Sequence, residues 1–170
     1  MTPEIALVPQ LLKQFKAACG EMVVPYHSQM TVTKRADIWQ RIALGQQLII
    51  IGTRSSLFLP FQHIGMIVVD ESHEPAYKQE EGIRYHATRI ASMLANKARA
   101  QLILGSATPL VSDMYMAHER KKAIARLLQP AITSDKTNEA VVIDMKDRTE
   151  FRRHPMLSAT LLNAIEAALQ

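Results

Sequence analysis

Two acids and a histidine follow an apolar run. Residues 66–75 read MIVVDESHEP, with Asp70 and Glu71 directly after Met66-Ile67-Val68-Val69 and His73 two residues further on. Neighbours on a strand point to opposite faces, so at a strand tip one carboxylate can meet a metal while the other meets a water. That division of labour suits phosphoryl transfer, in which one aspartate holds magnesium on the phosphates and a second acid orients the attacking water. A plainer reading stays open from these residues alone: an acid after a strand caps the helix that follows.

Three further stretches carry chemistry. In GSATP (105–109), Gly105 permits a tight strand exit, Ser106 and Thr108 set two hydroxyls around Ala107, and Pro109 can open a helix. In GTRSS (52–56), Gly52 and Thr53 can offer backbone amides and a hydroxyl to phosphates, and Arg54 adds a charged fork. An arginine after a strand is more often simply solvated or salt-bridged. In YKQEEGIRYHATR (77–89), Tyr77, Tyr85 and His86 alternate with Lys78, Arg84 and Arg89. Stacking faces beside positive charge suit single-stranded bases, although aromatics in a loop also pack back onto their own domain.

The elements that must position these residues alternate along the chain. Strand-like runs occur in EMVVPYHS, QLIIIGTRSS, IGMIVVDESH and QLILGSATP. Helix-like segments lie between or after them in TKRADIWQRIALGQ, YHATRIASMLANKARA and LVSDMYMAHERKKAIARLL. Apolar runs without polar alternation suit strands covered on both faces, and intervening helices suit right-handed parallel crossovers. The expected fold class is therefore α/β, a parallel sheet flanked by helices. A polar, turn-rich stretch at 130–140 reads as a linker, and AVVIDM with SATLLNAIEAALQ reads as one strand and one helix beyond it.

Composition narrows the class. The 170 residues are 48% apolar, enough for a real core, and the formal charge of +4 leans weakly towards an anionic partner. A single cysteine, Cys19, forms neither an internal disulfide nor a cysteine cluster, which fits a reducing cytoplasm. No apolar run approaches a membrane span, so no membrane association is expected. His27, His63, His118 and His154 lack metal-ligand spacing. The nine methionines read as core fillers, and Trp39 reads as a packing residue of its helix.

Taken together, the apolar-DExH motif and the SAT motif some 30 residues later resemble the superfamily 2 helicases. PEIALVPQLLKQFK, YHSQMT, IGTRSSLFLPF, IVVDESHEPAYKQEEGIRYHATR and LILGSATP are similar, in order and spacing, to the primosomal replication-restart helicases. The resemblance implies an incomplete first RecA-like helicase lobe at 1–130, a linker at 131–140 and the beginning of a second lobe at 141–170. It implies that Asp70 coordinates magnesium, Glu71 activates water and His73 senses the nucleotide. Gly105, Ser106, Ala107 and Thr108 would form the coupling motif. Gly52, Thr53, Arg54, Tyr77, Arg84, Tyr85 and His86 would contact DNA. Implied cofactors are ATP and Mg2+, with zinc used in the family although its ligands are absent here. Implied partners are single-stranded and forked DNA, the primosome and single-strand-binding proteins. Two departures stand out: Ser72 replaces the family's acid in DEEH, and Val8 replaces a threonine whose hydroxyl could meet a phosphate.

No G-x-x-x-x-G-K-[ST] loop occurs in the sequence. The chain is therefore expected to be a fragment, split subunit or truncated reading that is inactive in ATP hydrolysis by itself. A stand-alone nucleic-acid-binding α/β module without ATPase activity is the alternative. A metal-dependent hydrolase built on Asp70, Glu71 and His73 ranks below both.

Overall fold

The computed structural model describes residues 1–129 and 140–169. In chain order, Val8–Cys19 forms helix α1, Val23–Tyr26 strand β1, Val32–Ala43 helix α2, Ile49–Gly52 strand β2 and Met66–Val69 strand β3. Lys78–Gln79 and Tyr85–His86 form the short strands β4 and β5. Ala87–Ala98 forms helix α3, Gln101–Leu104 strand β6, Val111–Glu119 helix α4 and Ala159–Ala168 helix α5. The α/β class read from the apolar runs is the class found.

Local chemistry sets the boundaries. Pro9 lies in the first turn of α1, where its missing N–H costs nothing, and Gly20 ends that helix at φ 61°. The Thr31 hydroxyl accepts from the Lys34 amide to start α2, and Gly45 at φ 85° turns the chain after it. Ile38 and Ile42 form the buried stripe of α2 and pack with Tyr26 and Leu59.

Strands β1 and β2 pair in parallel from Val23 opposite Ile49 to Tyr26 opposite Gly52. Strands β3 and β6 pair in parallel from Met66 opposite Gln101 to Val69 opposite Leu104. Met1 and Thr2 join the two pairs: the Thr2 amide donates to the Gly52 carbonyl, and the Asp70 amide donates to the Met1 carbonyl, each over 2.9 Å. A Cβ on Gly52 would overlap the Tyr26 carbonyl oxygen, so this strand end admits only glycine without a backbone shift. Helix α3 lies on β3 and β6 through Ala87 and Ala91, which are fully buried together with Val69 and Tyr77. Small side chains on that face let the helix sit close to the sheet.

Several expectations from the sequence change. Helix α4 stops at Glu119, not near Leu128, and Lys121 follows at φ 49°. Helix α4 buries no residue, so no core packing holds the chain helical beyond Glu119. The segment 140–145 forms no strand, since it pairs with no described segment and a strand exists only as part of a ladder. Trp39 is half exposed, and Met22, Met66, Met93, Met145 and Met156 are exposed rather than core. Val8 is 2% exposed and packs with Val23 and Ile51, so its side chain belongs to the core and meets no phosphate here.

The chain divides into two compact units, Met1–Ile124 and Ala125–Gln170. In the second, Ser158 caps α5 by accepting from the Leu161 amide, and Arg153 pairs with Glu166 at 2.6 Å. The linker expected at 131–140 lies outside the described residues except for its last position.

Candidate functional site

The parallel register of β3 and β6 brings DESH and GSATP side by side. Past the last ladder pair, the Gly105 amide donates to the Val69 carbonyl and the Ser72 amide donates to the Gly105 carbonyl, each over 2.8 Å. The two strand exits are therefore zipped together at backbone level. A Cβ on Gly105 would meet only the Asp70 Oδ1 and the Val69 carbonyl oxygen, both at 3.7 Å, so the tight exit does not itself demand glycine.

On this frame the His73 Nδ1 lies 2.8 Å from the Ser106 Oγ, and that Oγ also accepts from the Thr108 amide over 3.1 Å. One hydroxyl thus orders both the imidazole and the SAT turn. Glu71 Oε2 lies 3.5 Å from His73 Nδ1, and Glu74 Oε1 lies 3.7 Å from His73 Nε2. Those separations are of ion-pair range and too long for strong hydrogen bonds. Glu71 Oε2 is buried with no hydrogen-bond partner, and Glu71 sits at φ 45°, a backbone conformation costly for a residue with a Cβ. The adjacent Asp70 is exposed, and its Oδ1 accepts from the Glu71 amide. One acid is solvent-facing and the other is turned towards the histidine. Glu74, unremarked in the sequence, is the further acid on the imidazole, and its closeness to His73 along the chain was the available signal.

Tyr77 departs from its expected role. Its ring is 1% exposed in the core, and its hydroxyl donates to the Asp70 carbonyl and sits 3.3 Å from the Met1 carbonyl. No base can reach it, so the expectation of a DNA-stacking Tyr77 is corrected: it is a strut beneath the acidic turn. Burial first, then the carboxylates of Asp70, Glu71 and Glu74, hold its phenol well above the ordinary value of 10.0.

The GTRSS segment is also more internal than its composition suggests. Gly52 is paired to Thr2, Thr53 is buried, and the Thr53 amide points to the Tyr26 carbonyl at 3.4 Å. Its carbonyl accepts from both the Ser56 amide and the Ser56 hydroxyl. Arg54 Nη1 donates to the carbonyls of Ala76 and Lys78, each over 2.9 Å. The guanidinium that looked like a phosphate fork is tied to the start of the β4–β5 hairpin.

That hairpin turns through Gly82 at φ 67°, and Lys78 pairs with Glu80 at 2.7 Å. Arg84 is exposed, and Tyr85 and His86 are half-buried, with His86 Nδ1 2.7 Å from the Thr88 hydroxyl. Of the aromatic residues expected to face DNA, Tyr85 and His86 keep surface to offer.

Residues 1–117 match the family model described as DEAD/DEAH box helicase. The chain is 33% identical over 171 residues to Replication restart protein PriA of Bacillus subtilis, covering 99% of this chain and 21% of that protein. It is 36% identical over 170 residues to Replication restart protein PriA of Haemophilus influenzae, covering 100% of this chain and 23% of that protein. The protein of the same name from Chlamydia trachomatis is 36% identical over 172 residues, again covering 100% of this chain and 23% of its own length. The chain spans about a fifth to a quarter of the length of these curated relatives.

Proposed function

This chain belongs to the DEAD/DEAH box helicase family, and from that premise we propose that it supplies the water-orienting and coupling elements of an ATP-driven DNA helicase acting in replication restart. The observation that carries the reading is the 2.8 Å contact between His73 and Ser106, which joins the acidic strand end of β3 to the SAT turn after β6. A nucleotide event at Asp70 and Glu71 thereby reaches a second element without passing through solvent.

In this reading Asp70 is the ligand for magnesium, and the site fits that ion: one exposed carboxylate offers a hard oxygen donor and leaves room for phosphate and water. When bound, magnesium supplies charge neutralisation on the phosphates of ATP. Glu71 holds the attacking water, and among the described residues its Oε2 makes no hydrogen bond, with His73 Nδ1 at 3.5 Å. His73 senses the nucleotide through Glu71, and Ser106 and Thr108 carry the change onward. Arg84, Tyr85 and His86 meet a single strand, while Thr53 and Arg54 position that surface from beneath. Residues 1–130 are read as the first RecA-like lobe and 141–170 as the entry into the second, a reading supported by the division into compact units at Met1–Ile124 and Ala125–Gln170. Forked DNA, single-strand-binding proteins and the other primosome components are the partners this activity requires, and the cytoplasm is its place.

The sequence contains no G-x-x-x-x-G-K-[ST] loop, and positioning with charge neutralisation supplies nearly all catalysis of phosphoryl transfer. The 170 residues by themselves are therefore expected not to hydrolyse ATP. The test is a chimera in which they replace the matching stretch of the Bacillus subtilis relative. DNA-stimulated ATP hydrolysis should be restored, and Glu71→Gln should cut turnover by about two to four orders of magnitude while nucleotide still binds. Full turnover in the Glu71→Gln chimera would overturn the water-orienting role.

A further inference from the structure

Phe58 lies within the IGTRSSLFLPF stretch without a role of its own there, and its placement is unusual. It ends a short 3₁₀ turn, Arg54–Phe58, in which Ser56 and Leu57 are buried, and Leu59 after it is buried as well. Phe58 itself is 58% exposed. The turn beneath it is stiff: the Thr53 carbonyl takes two hydrogen bonds from Ser56, and Arg54 is pinned to two carbonyls of the neighbouring segment. Its exposure is thus set by a built turn and not by a loose surface side chain.

The Phe58 ring meets Tyr85 edge to face, with centroids 5.3 Å apart and planes at 86°. In such a pair only one of the four ring faces is covered, so flat apolar surface stays open beside the contact. Tyr85 also lines a groove of about 510 Å³ together with Lys78, Gln79, Glu80, Arg84 and His86, in which the Lys78 ammonium is paired with Glu80 at 2.7 Å and Arg84 is exposed. An aromatic corner beside an exposed guanidinium has the chemistry of a base-stacking site, in which a π-face takes the base and the guanidinium takes the backbone. Leu57 and Leu59 on either side of Phe58 are buried, so the phenyl ring is the one large apolar side chain that this turn exposes.

We infer that Phe58, braced by Tyr85, stacks on one unpaired nucleobase of a single strand lying along the β4–β5 hairpin. This rests on the single-strand contact proposed above and adds a residue which that reading does not contain. Arg54 is a positioning residue for the corner, since its two hydrogen bonds hold the hairpin against the turn that carries Phe58.

The test is fluorescence anisotropy of the 170-residue chain with a labelled oligothymidine at several salt concentrations, beside the same oligonucleotide carrying abasic sites. Phe58→Ala should weaken binding to the base-bearing strand by about 5- to 100-fold. It should leave the dependence on salt unchanged, because a phenyl ring releases no counterion. Phe58→Trp should restore binding, and Phe58→Leu, which keeps an apolar side chain on the turn, should bind as weakly as alanine. The abasic strand should bind wild type and Phe58→Ala alike. Equal affinity of wild type and Phe58→Ala for the base-bearing strand would overturn the stacking site while leaving the single-strand surface intact. Loss of equal size on the abasic strand would overturn it too. Failure of the wild-type chain to bind any single strand at low salt would remove both readings. Self-association in sedimentation that vanishes in Phe58→Ala, with DNA binding unchanged, would assign the ring to a protein contact instead.

Discussion

His73 and Ser106 lie 33 residues apart in the chain and touch over 2.8 Å, Nδ1 to Oγ. The contact exists because Val69 pairs with Leu104 at the ends of two parallel strands, which delivers both exits to the same sheet edge. In a parallel α/β sheet that edge is where ligands bind.

Ser106→Ala removes the hydroxyl that orders both the imidazole and the Thr108 amide. The isolated chain should lose about 0.5–1.5 kcal/mol in denaturant unfolding, the usual worth of a hydrogen bond. In the chimera, ATP hydrolysis without DNA should persist while its stimulation by DNA falls. A variant that keeps full stimulation would show that coupling runs elsewhere.

Arg54→Ala should act on the hairpin first. Two carbonyls, Ala76 and Lys78, lose a charged donor, and the β4–β5 amides should exchange hydrogen about ten- to a hundredfold faster, equivalent to about 1–3 kcal/mol of local stability. Arg54→Lys should recover part of the protection, because an ammonium can replace the one Nη1 donor that serves both carbonyls but sits on a shorter, more flexible stem. Hydrogen exchange read by mass spectrometry separates this from a simple loss of surface charge, which would leave exchange unchanged.

Tyr77 sets an alkaline limit. Its phenol is held above the ordinary value of 10.0 by burial and by neighbouring carboxylates, so the unfolded chain ionises first as pH rises. The contribution of a neutral buried phenol is present in full below about pH 10 and is lost progressively above it, because there the native state binds the extra proton. Thermal unfolding from pH 9 to 11 should show a falling midpoint in the wild type and a flatter profile in Tyr77→Phe. At neutral pH the variant should start about 0.5–2 kcal/mol lower, having lost the hydroxyl contact to the Asp70 carbonyl. Parallel profiles would show that Tyr77 does not set the limit.

Two glycines at strand ends should respond unequally to alanine. Gly52→Ala drives a methyl into the Tyr26 carbonyl oxygen and should cost about 2 kcal/mol or more. Gly105→Ala meets only ordinary contacts at 3.7 Å and should cost less than about 1 kcal/mol. Unfolding midpoints of the two variants decide this directly.

Much of this protein was legible before any coordinates. Continuous apolar runs ending in DESH, GSATP and GTRSS specify parallel strands with polar tips, and the exits are left to do chemistry, but the expected cover on both faces is not found: β3 exposes Met66 and Val68, and β6 exposes Ile103 and Leu104. The stripe of Ile38 and Ile42 specifies helix α2 in the same way. Such patterns are periodic and local, and a local period fixes an element without fixing its neighbours. The tertiary structure decided the rest. Tyr77 and Tyr85 read alike within one aromatic stretch, but only the packing of α3 on β3 puts Tyr77 in the core and leaves Tyr85 at the surface. Arg54 reads as a free charge until the chain between Asp70 and Lys78 folds back and sets two carbonyls against it. Phe58 has no periodic signal in an irregular turn, and its exposure depends on which neighbours the fold buries around it. Residues 141–145 have the composition of a strand and form none, since a ladder needs a second strand that composition cannot supply.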